Sequence, residues 1–259
     1  MPLFFLIFGF AALIVAFILE GGSPLDLIGP TALIIVLGGT FGATGLSIPF
    51  EELKKTGKIL GIAFRDRKTD MVGIIGQFEE MSLKARKEGL LALESEITRE
   101  DIDPFIRKGI GLVMDGADHE LIKSVLVLQI EQMSERHKAH WAVFEAAGGY
   151  APTIGIVGTV MGLVHVLSNL SNPSVLGGSI AAAFLATMYG VSTANLIFLP
   201  IARKLKELNN KEINVKLMMT EAIISISVGD NPVIMVQKLM VFLSERDAGA
   251  FEKSRGSEY

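Results

Sequence analysis

The chain has 259 residues, half of them hydrophobic, with a mean hydropathy of +0.46 and 20% charged residues. That mixture argues against one ordinary soluble domain and describes a chain with lipid-facing and water-facing parts. There is no cysteine, which excludes disulfides and thiolate metal sites, and a net charge of −4 without a polybasic tract gives nucleic acid no footing.

The N-terminus, MPLFFLIF, lacks the basic residues that precede the apolar core of a secretion signal. Residues 2–19 therefore read as a retained membrane helix, eighteen uncharged positions against the ~20 that cross the hydrocarbon. Glu20 to Pro24 break the run, and a second uncharged stretch covers about 27–50, with Pro30 early and Gly38 and Gly42 four apart. Residues 51–145 form a charged insertion that reads as mostly helical. A first helix is predicted over Met71–Ile97, with an apolar face carrying Ile74, Ile75, Phe78, Met81, Ala85, Leu90, Leu91 and Leu93. Asp103-Pro104 is a helix start, and Asp118 is placed to cap a helix from His119 through Trp141 that runs on without a break into a third apolar span, about 147–168. A polar link over 169–178 leads to a fourth span, about 179–201. Residues 203–259 form a second charged, helical segment. There Glu212–Val228 is amphipathic, GDNP at 229–232 is a turn, Val233–Leu243 is the last helix, and 248–259 look frayed.

Charge is partitioned sharply. Of 24 Lys and Arg, fifteen lie between Lys54 and Lys138 and nine between Arg203 and Arg255; none lies in 1–53 or 139–202. Basic residues near helix ends mark the cytoplasmic side. The expectation is an all-α polytopic membrane protein with four transmembrane helices, both termini and a helical domain in the cytoplasm, and two short outer loops.

Two membrane spans carry small residues at helical spacing. Ala147, Ala151, Gly155 and Thr159 step by four, with Gly158 and Gly162 beside them; Ala182, Ala186, Gly190 and Ala194 do the same in the fourth span. Such stripes let backbones approach in lipid, although the same spacing arises by chance in Gly-rich spans. Pro152 interrupts the third span, leaving the carbonyl of Gly148 without its usual donor.

No catalytic set is present: the chain has no P-loop, no dinucleotide-binding glycines and no nucleophile–His–acid spacing, so it does not read as an enzyme. His119, His137, His140 and His165 are scattered. His137 and His140 share a helix face that reads as solvated, and His165 sits at a membrane boundary. No acid lies in mid-membrane. Thr159 and Thr187 remain as polar groups, open to two readings: a hydroxyl bonded back to its own helix, or a group beside an ion path. If an ion passes, its charged ligand comes from another chain.

The motifs GYAPTIGIVGTVMGLVHVL at 149–167, ATMYG at 186–190, FLPIARKLK at 198–206 and ARKEGLLALE at 85–94, with two helices, an insertion, two helices and a tail, resemble the MotA/PomA family of flagellar stator subunits. The resemblance implies a ring-shaped oligomer in the bacterial cytoplasmic membrane, five A chains around two MotB-like B chains, driven by H+ or Na+ with no tightly bound cofactor. It implies an ion-carrying Asp on the B helix and a rotor partner, FliG. By the same resemblance Pro152 and Pro200 take part in conformational coupling, Thr159 and Thr187 lie near the ion site, and Arg86 and Glu94 engage the rotor. Gly155, Gly158, Gly162, Ala186 and Gly190 are the expected packing positions. Thr159 points to sodium, because proton-using members often carry Ala there. An ExbB/TolQ-type subunit energising outer-membrane processes is the alternative. Its three spans and opposite N-terminus fit less well, and a self-contained channel would need a polar path of its own.

Overall fold

The computed structural model of the protein describes residues 2–65 and 69–256 and is helical, with no strand among the described residues. In order, the helices are α1 (Pro2–Leu19), α2 (Pro30–Leu33), α3 (Gly39–Ser47), α4 (Phe50–Ala63), α5 (Met71–Glu88), α6 (Glu94–Ile97), α7 (Pro104–Met114), α8 (His119–Ser168), α9 (Pro173–Thr193), α10 (Leu199–Val228), α11 (Pro232–Met240) and α12 (Glu245–Gly256). A π-helical turn, Ile34–Gly38, joins α2 to α3, and another, Ala194–Phe198, joins α9 to α10. The helices divide between two compact units: residues 1–66 with 137–207, and 67–136 with 208–259.

The first unit is the apolar one. By length and composition Pro24–Ser47, His119–Ser168 and Val175–Val228 contain stretches able to cross a membrane, and the shorter Leu3–Leu19 is a fourth apolar helix. Large side chains such as Phe4, Phe8, Leu19, Phe41, Leu46 and Phe184 lie more than 60% exposed. An apolar exterior of this kind needs lipid or partner chains to cover it. Within the unit, Ile59 and Ala63 of α4 pack with Trp141 and Phe144 of α8 and with Ile201, Ala202 and Leu205 of α10. Ala32 and Val36 pack on Ala186 of α9.

The second unit has a conventional core. Ile75, Phe78 and Met81 of α5, Phe105, Ile106 and Ile110 of α7, Ile122 and Leu126 of α8, Met218 and Ile223 of α10 and Met235 of α11 are almost wholly buried. Local capping sets the boundaries. The Asp103 carboxylate accepts from the Phe105 amide at 2.7 Å with Pro104 in the first turn, and Asp118 accepts from the Leu121 amide at 2.9 Å. Gly229 adopts φ +77°, and Asn231 caps α11 ahead of Pro232.

Four expectations change. The helix predicted over Met71–Ile97 is broken: α5 stops at Glu88 because Gly89 takes φ +88°, and a 3-10 turn, Leu90–Leu93, precedes the short α6. Leu91, expected on the apolar face, is 74% exposed after this break, while Leu93 is fully buried. Helix α9 begins at Pro173, so the link after α8 shrinks to four residues, 169–172, because proline suits a first helical position. The tail is not frayed from 248: α12 continues to Gly256 and buries Phe251, while 257–259 lie outside the described residues.

Candidate ion-coupling site

The small residues of α8 and α9 meet along one seam. A Cβ added to Gly155 would lie 2.8 Å from the Ala186 carbonyl oxygen and 3.2 Å from Thr187 Cα; one added to Gly190 would lie 2.4 Å from the Ala151 carbonyl oxygen. At Gly158 it would meet Ala186 Cβ at 2.7 Å, and at Gly162 Ala183 Cβ at 2.5 Å. The backbones touch, and glycine is what allows it. Ala151, Ala183, Ala186 and Ala194 are buried to within 1% exposure.

The close approach brings the two threonines together. The Thr159 hydroxyl lies 3.2 Å from its own-helix carbonyl at Gly155 and 2.9 Å from the carbonyl of Ala183 across the seam, and it is hydrogen-bonded to the hydroxyl of Thr187. The hydroxyl of Thr159 is thus placed both to bond back to its own helix and to bridge to the next. A hydroxyl has one proton and two lone pairs. With Thr159 donating to a carbonyl and Thr187 donating to Thr159, both protons are used and the remaining free capacity of the pair is oxygen lone pairs. That is a cation-accepting arrangement.

The two prolines flank a second contact. Gly148 lies against α10, where a Cβ would meet Leu199 Cδ2 at 2.6 Å. Pro152 follows Gly148 by one turn inside α8, and Pro200 directly follows Leu199. Pro200 sits two residues past the π turn Ala194–Phe198, which loosens the backbone where the ring would otherwise crowd the carbonyl of Leu196. Pro152 has no such turn beside it.

Sequence reasoning missed Tyr189. Its hydroxyl accepts the Gly29 amide at 2.9 Å and donates to the Leu27 carbonyl, tying α9 to the segment before α2. The available signal was one aromatic side chain with a polar tip among small residues of an apolar span.

The rotor candidates lie in the second unit. Arg86 is in the last turn of α5 and Glu94 is the first residue of α6; both are exposed. Because Gly89 breaks the helix, the pair does not share one helical flank. Lys84 locks the bend instead, reaching Ser95 Oγ at 2.6 Å and Glu96 at 2.7 Å. The hydrogen bond from Lys84 holds the Glu96 carboxyl below the usual carboxylate range, with Arg99 adding to it. Beside Arg86 is a groove of about 230 Å³ walled by Ala85, Leu90, Ile226 and Asp230. The His137 and His140 rings stack 5.7 Å apart, and burial pushes the His140 pKa down. Among the described residues no group of three His, Cys, Asp or Glu side chains is placed to hold a metal.

The sequence profile of the MotA/TolQ/ExbB proton channel family matches residues 97–218, a segment shared by the stator and ExbB/TolQ alternatives. Full-length relatives separate them. Motility protein A of Borreliella burgdorferi is 42% identical over 88% of this chain and 87% of its own length. Motility protein A of Bacillus subtilis is 37% identical over 93% and 90%. A solved structure of the flagellar MotAB stator complex from Bacillus subtilis superposes with a TM-score of 0.88 at 35% identity, covering 96% of this chain and 98% of that one. On likeness of this extent in sequence and structure, the chain belongs to the MotA family of motility proteins.

Proposed function

We propose that the chain is the A subunit of an ion-driven flagellar stator unit, converting ion flow across the bacterial cytoplasmic membrane into torque on the rotor. The observation that carries this is the Thr159–Thr187 hydroxyl pair, held at a glycine-packed seam between two apolar stretches, 146–168 and 173–193, that contain no carboxylate. The pair supplies oxygen ligands and lacks the charge to hold an ion alone. A MotB-like B subunit brings the acid, an Asp on its single membrane helix, and five A chains ring two B chains. The basic-residue pattern supports four spans, with residues 51–145, the tail and both termini in the cytoplasm. One charge crossing about 100 mV releases roughly 2.3 kcal/mol, enough for a ring step and too little for refolding. Pro152 and Pro200 sit where such a step bends the helices.

The coupling ion is sodium in this reading, because Thr159 adds an oxygen ligand that alanine would lack. Swimming speed measured against external sodium at fixed pH is expected to rise and saturate. Thr159→Ala is expected to shift the half-saturating sodium concentration several-fold upward or to abolish the dependence. An unchanged sodium curve in that variant would leave Thr159 as a packing residue.

Arg86 and Glu94 are the rotor contact, and FliG is the partner. Exposed ion pairs are individually weak, about 0–1 kcal/mol, which suits a contact that forms and releases with each step. Arg86→Glu or Glu94→Lys is expected to cut rotation speed severely while membrane levels stay normal, and matching reversals on FliG are expected to restore part of it. If both single reversals swim at full speed, the contact lies elsewhere on the second unit. Lys84 is the poorer next choice, since Glu96 and Ser95 occupy it.

A further inference from the structure

We infer that Lys84 is a positioning residue for the rotor contact: by bridging from α5 to Ser95 and Glu96 across the bend at Gly89, it fixes where Glu94 stands relative to Arg86. This rests on the reading of Arg86 and Glu94 given above. Arg86 is carried by α5 and Glu94 by α6, so their separation is not set by a shared helix. Helix α6 cannot set it alone. Its four residues, Glu94–Ile97, are far fewer than the ~12 that an isolated helix needs. Gly89, at φ +88°, turns the chain ahead of it. Lys84 Nζ donates to Ser95 Oγ at 2.6 Å and to Glu96 Oε1 at 2.7 Å, and these are the two residues that follow Glu94. The Ser95 hydroxyl in turn donates to the Ala92 carbonyl at 3.1 Å. Leu93, on the other side of Glu94, is fully buried. Glu94 is thus held from both sides, and one of the two anchors comes from the helix that carries Arg86.

The directions of the side chains suit this division. Residues two apart on a helix do not face each other, so Lys84 turns toward α6 while Arg86 stays exposed. Other charges at this corner are also committed within the fold. Arg99 reaches Glu96 at 3.4 Å and Asp101 at 2.8 Å. Arg107 on α7 donates to the carbonyls of Ile97 at 2.9 Å and Arg99 at 2.8 Å, which secures the end of α6. Arg86 and Glu94 form no ion pair among the described residues. The charges that tie the corner together and the charges left to meet a partner are therefore different sets. Lys84 belongs to the first: its side chain is 29% exposed and that of Glu96 22%, so salt screens their bridge less than a fully exposed pair.

Four variants test this: Lys84→Met, Glu96→Gln, Lys84→Arg, and the exchange that combines Lys84→Glu with Glu96→Lys. Each is expressed with the B subunit in cells lacking their own stators. Single motors are followed as stator units join one at a time, and the speed gained per unit is read; the midpoint of thermal unfolding of each purified complex is measured beside it. Lys84→Met and Glu96→Gln are expected to lower the gain per unit several-fold at an unchanged midpoint. Lys84→Arg is expected to keep most of the gain, and the exchange to restore part of it, because the bridge re-forms with its charges reversed. A full gain per unit in both Lys84→Met and Glu96→Gln overturns the proposal. A loss that comes with a lower midpoint also overturns it, since the bridge would then merely hold the fold together. So does an exchange that performs no better than Lys84→Met at an unchanged midpoint, because the Lys84 charge would then be meeting the rotor itself. Should Lys84→Met fail to assemble, Glu96→Gln decides. Full-speed rotation of Arg86→Glu would instead bring down the rotor-contact reading, and this proposal with it, while failure of the unaltered chain to drive rotation would count against the stator reading itself.

Discussion

Gly190→Ala is expected to prevent assembly of a stable stator complex. The added Cβ would sit 2.4 Å from the Ala151 carbonyl oxygen and 3.1 Å from Gly155 Cα. Both are backbone atoms, so no side chain can swing aside, and α8 and α9 must part by most of an ångström. Overpacking of this kind costs about 1–3 kcal/mol in soluble cores. In lipid the damage is greater in kind, because packing is itself what holds membrane helices together. The separation also pulls Thr159 away from Ala183 and Thr187, whose contacts depend on the close approach. Purified with its B subunit in detergent, the variant is expected to give several-fold less complex, with a lower midpoint of thermal unfolding and no motility. Gly149→Ala is the matched control, since a Cβ there meets nothing within 4 Å. Equal yield and stability for the two variants would show that the seam tolerates an extra methyl and does not govern assembly.

Pro152→Ala is expected to leave membrane level and assembly intact and to abolish swimming. Proline in a helix interior costs about 3 kcal/mol through a missing hydrogen bond and a ring clash. Alanine returns the N–H that the Gly148 carbonyl lacks and removes the ring clash in α8, so the variant folds at least as well. What it loses is compliance at the stretch where Gly148 opposes Leu199. In the coupling role proposed for Pro152, a stiffened helix would not pass an ion-driven step from the threonine pair to that contact. The measurement is rotation of tethered cells alongside complex recovery. Full-speed rotation in the variant would remove Pro152 from the coupling path.

Features encoded in a few adjacent residues were legible. Asp103-Pro104 and Asp118 act as caps because a carboxylate oxygen next to a free amide needs no help from the rest of the fold, whereas GDNP reads only as a turn and its Asn231 cap comes from the structure. The glycine and alanine stripes were legible because residues four apart stay on neighbouring positions of one α-helical face over a few turns. The break at Gly89 was not. Apolar residues continue through it at helical spacing, and only the positive φ, stabilised by the Lys84 bridge to Glu96, shows the turn. The π turns at Ile34–Gly38 and Ala194–Phe198 leave no residue pattern of their own, apart from Pro200 downstream of the second. The contact between Thr159 and Thr187 depends on the rotation and depth of two helices, which one-dimensional spacing does not contain.

Tyr189 bears on how the protein is made. Synthesis runs from the N-terminus, so the segment before α2 emerges about 160 residues ahead of the side chain that satisfies it. Until α9 has been delivered to the bilayer, the Gly29 amide and the Leu27 carbonyl have no partner from that helix, and must stay near water or the translocation machinery. The tie between the N-terminal segment and α9 therefore closes only after α9 has been synthesised, so the ordering of this early segment is completed by a late one.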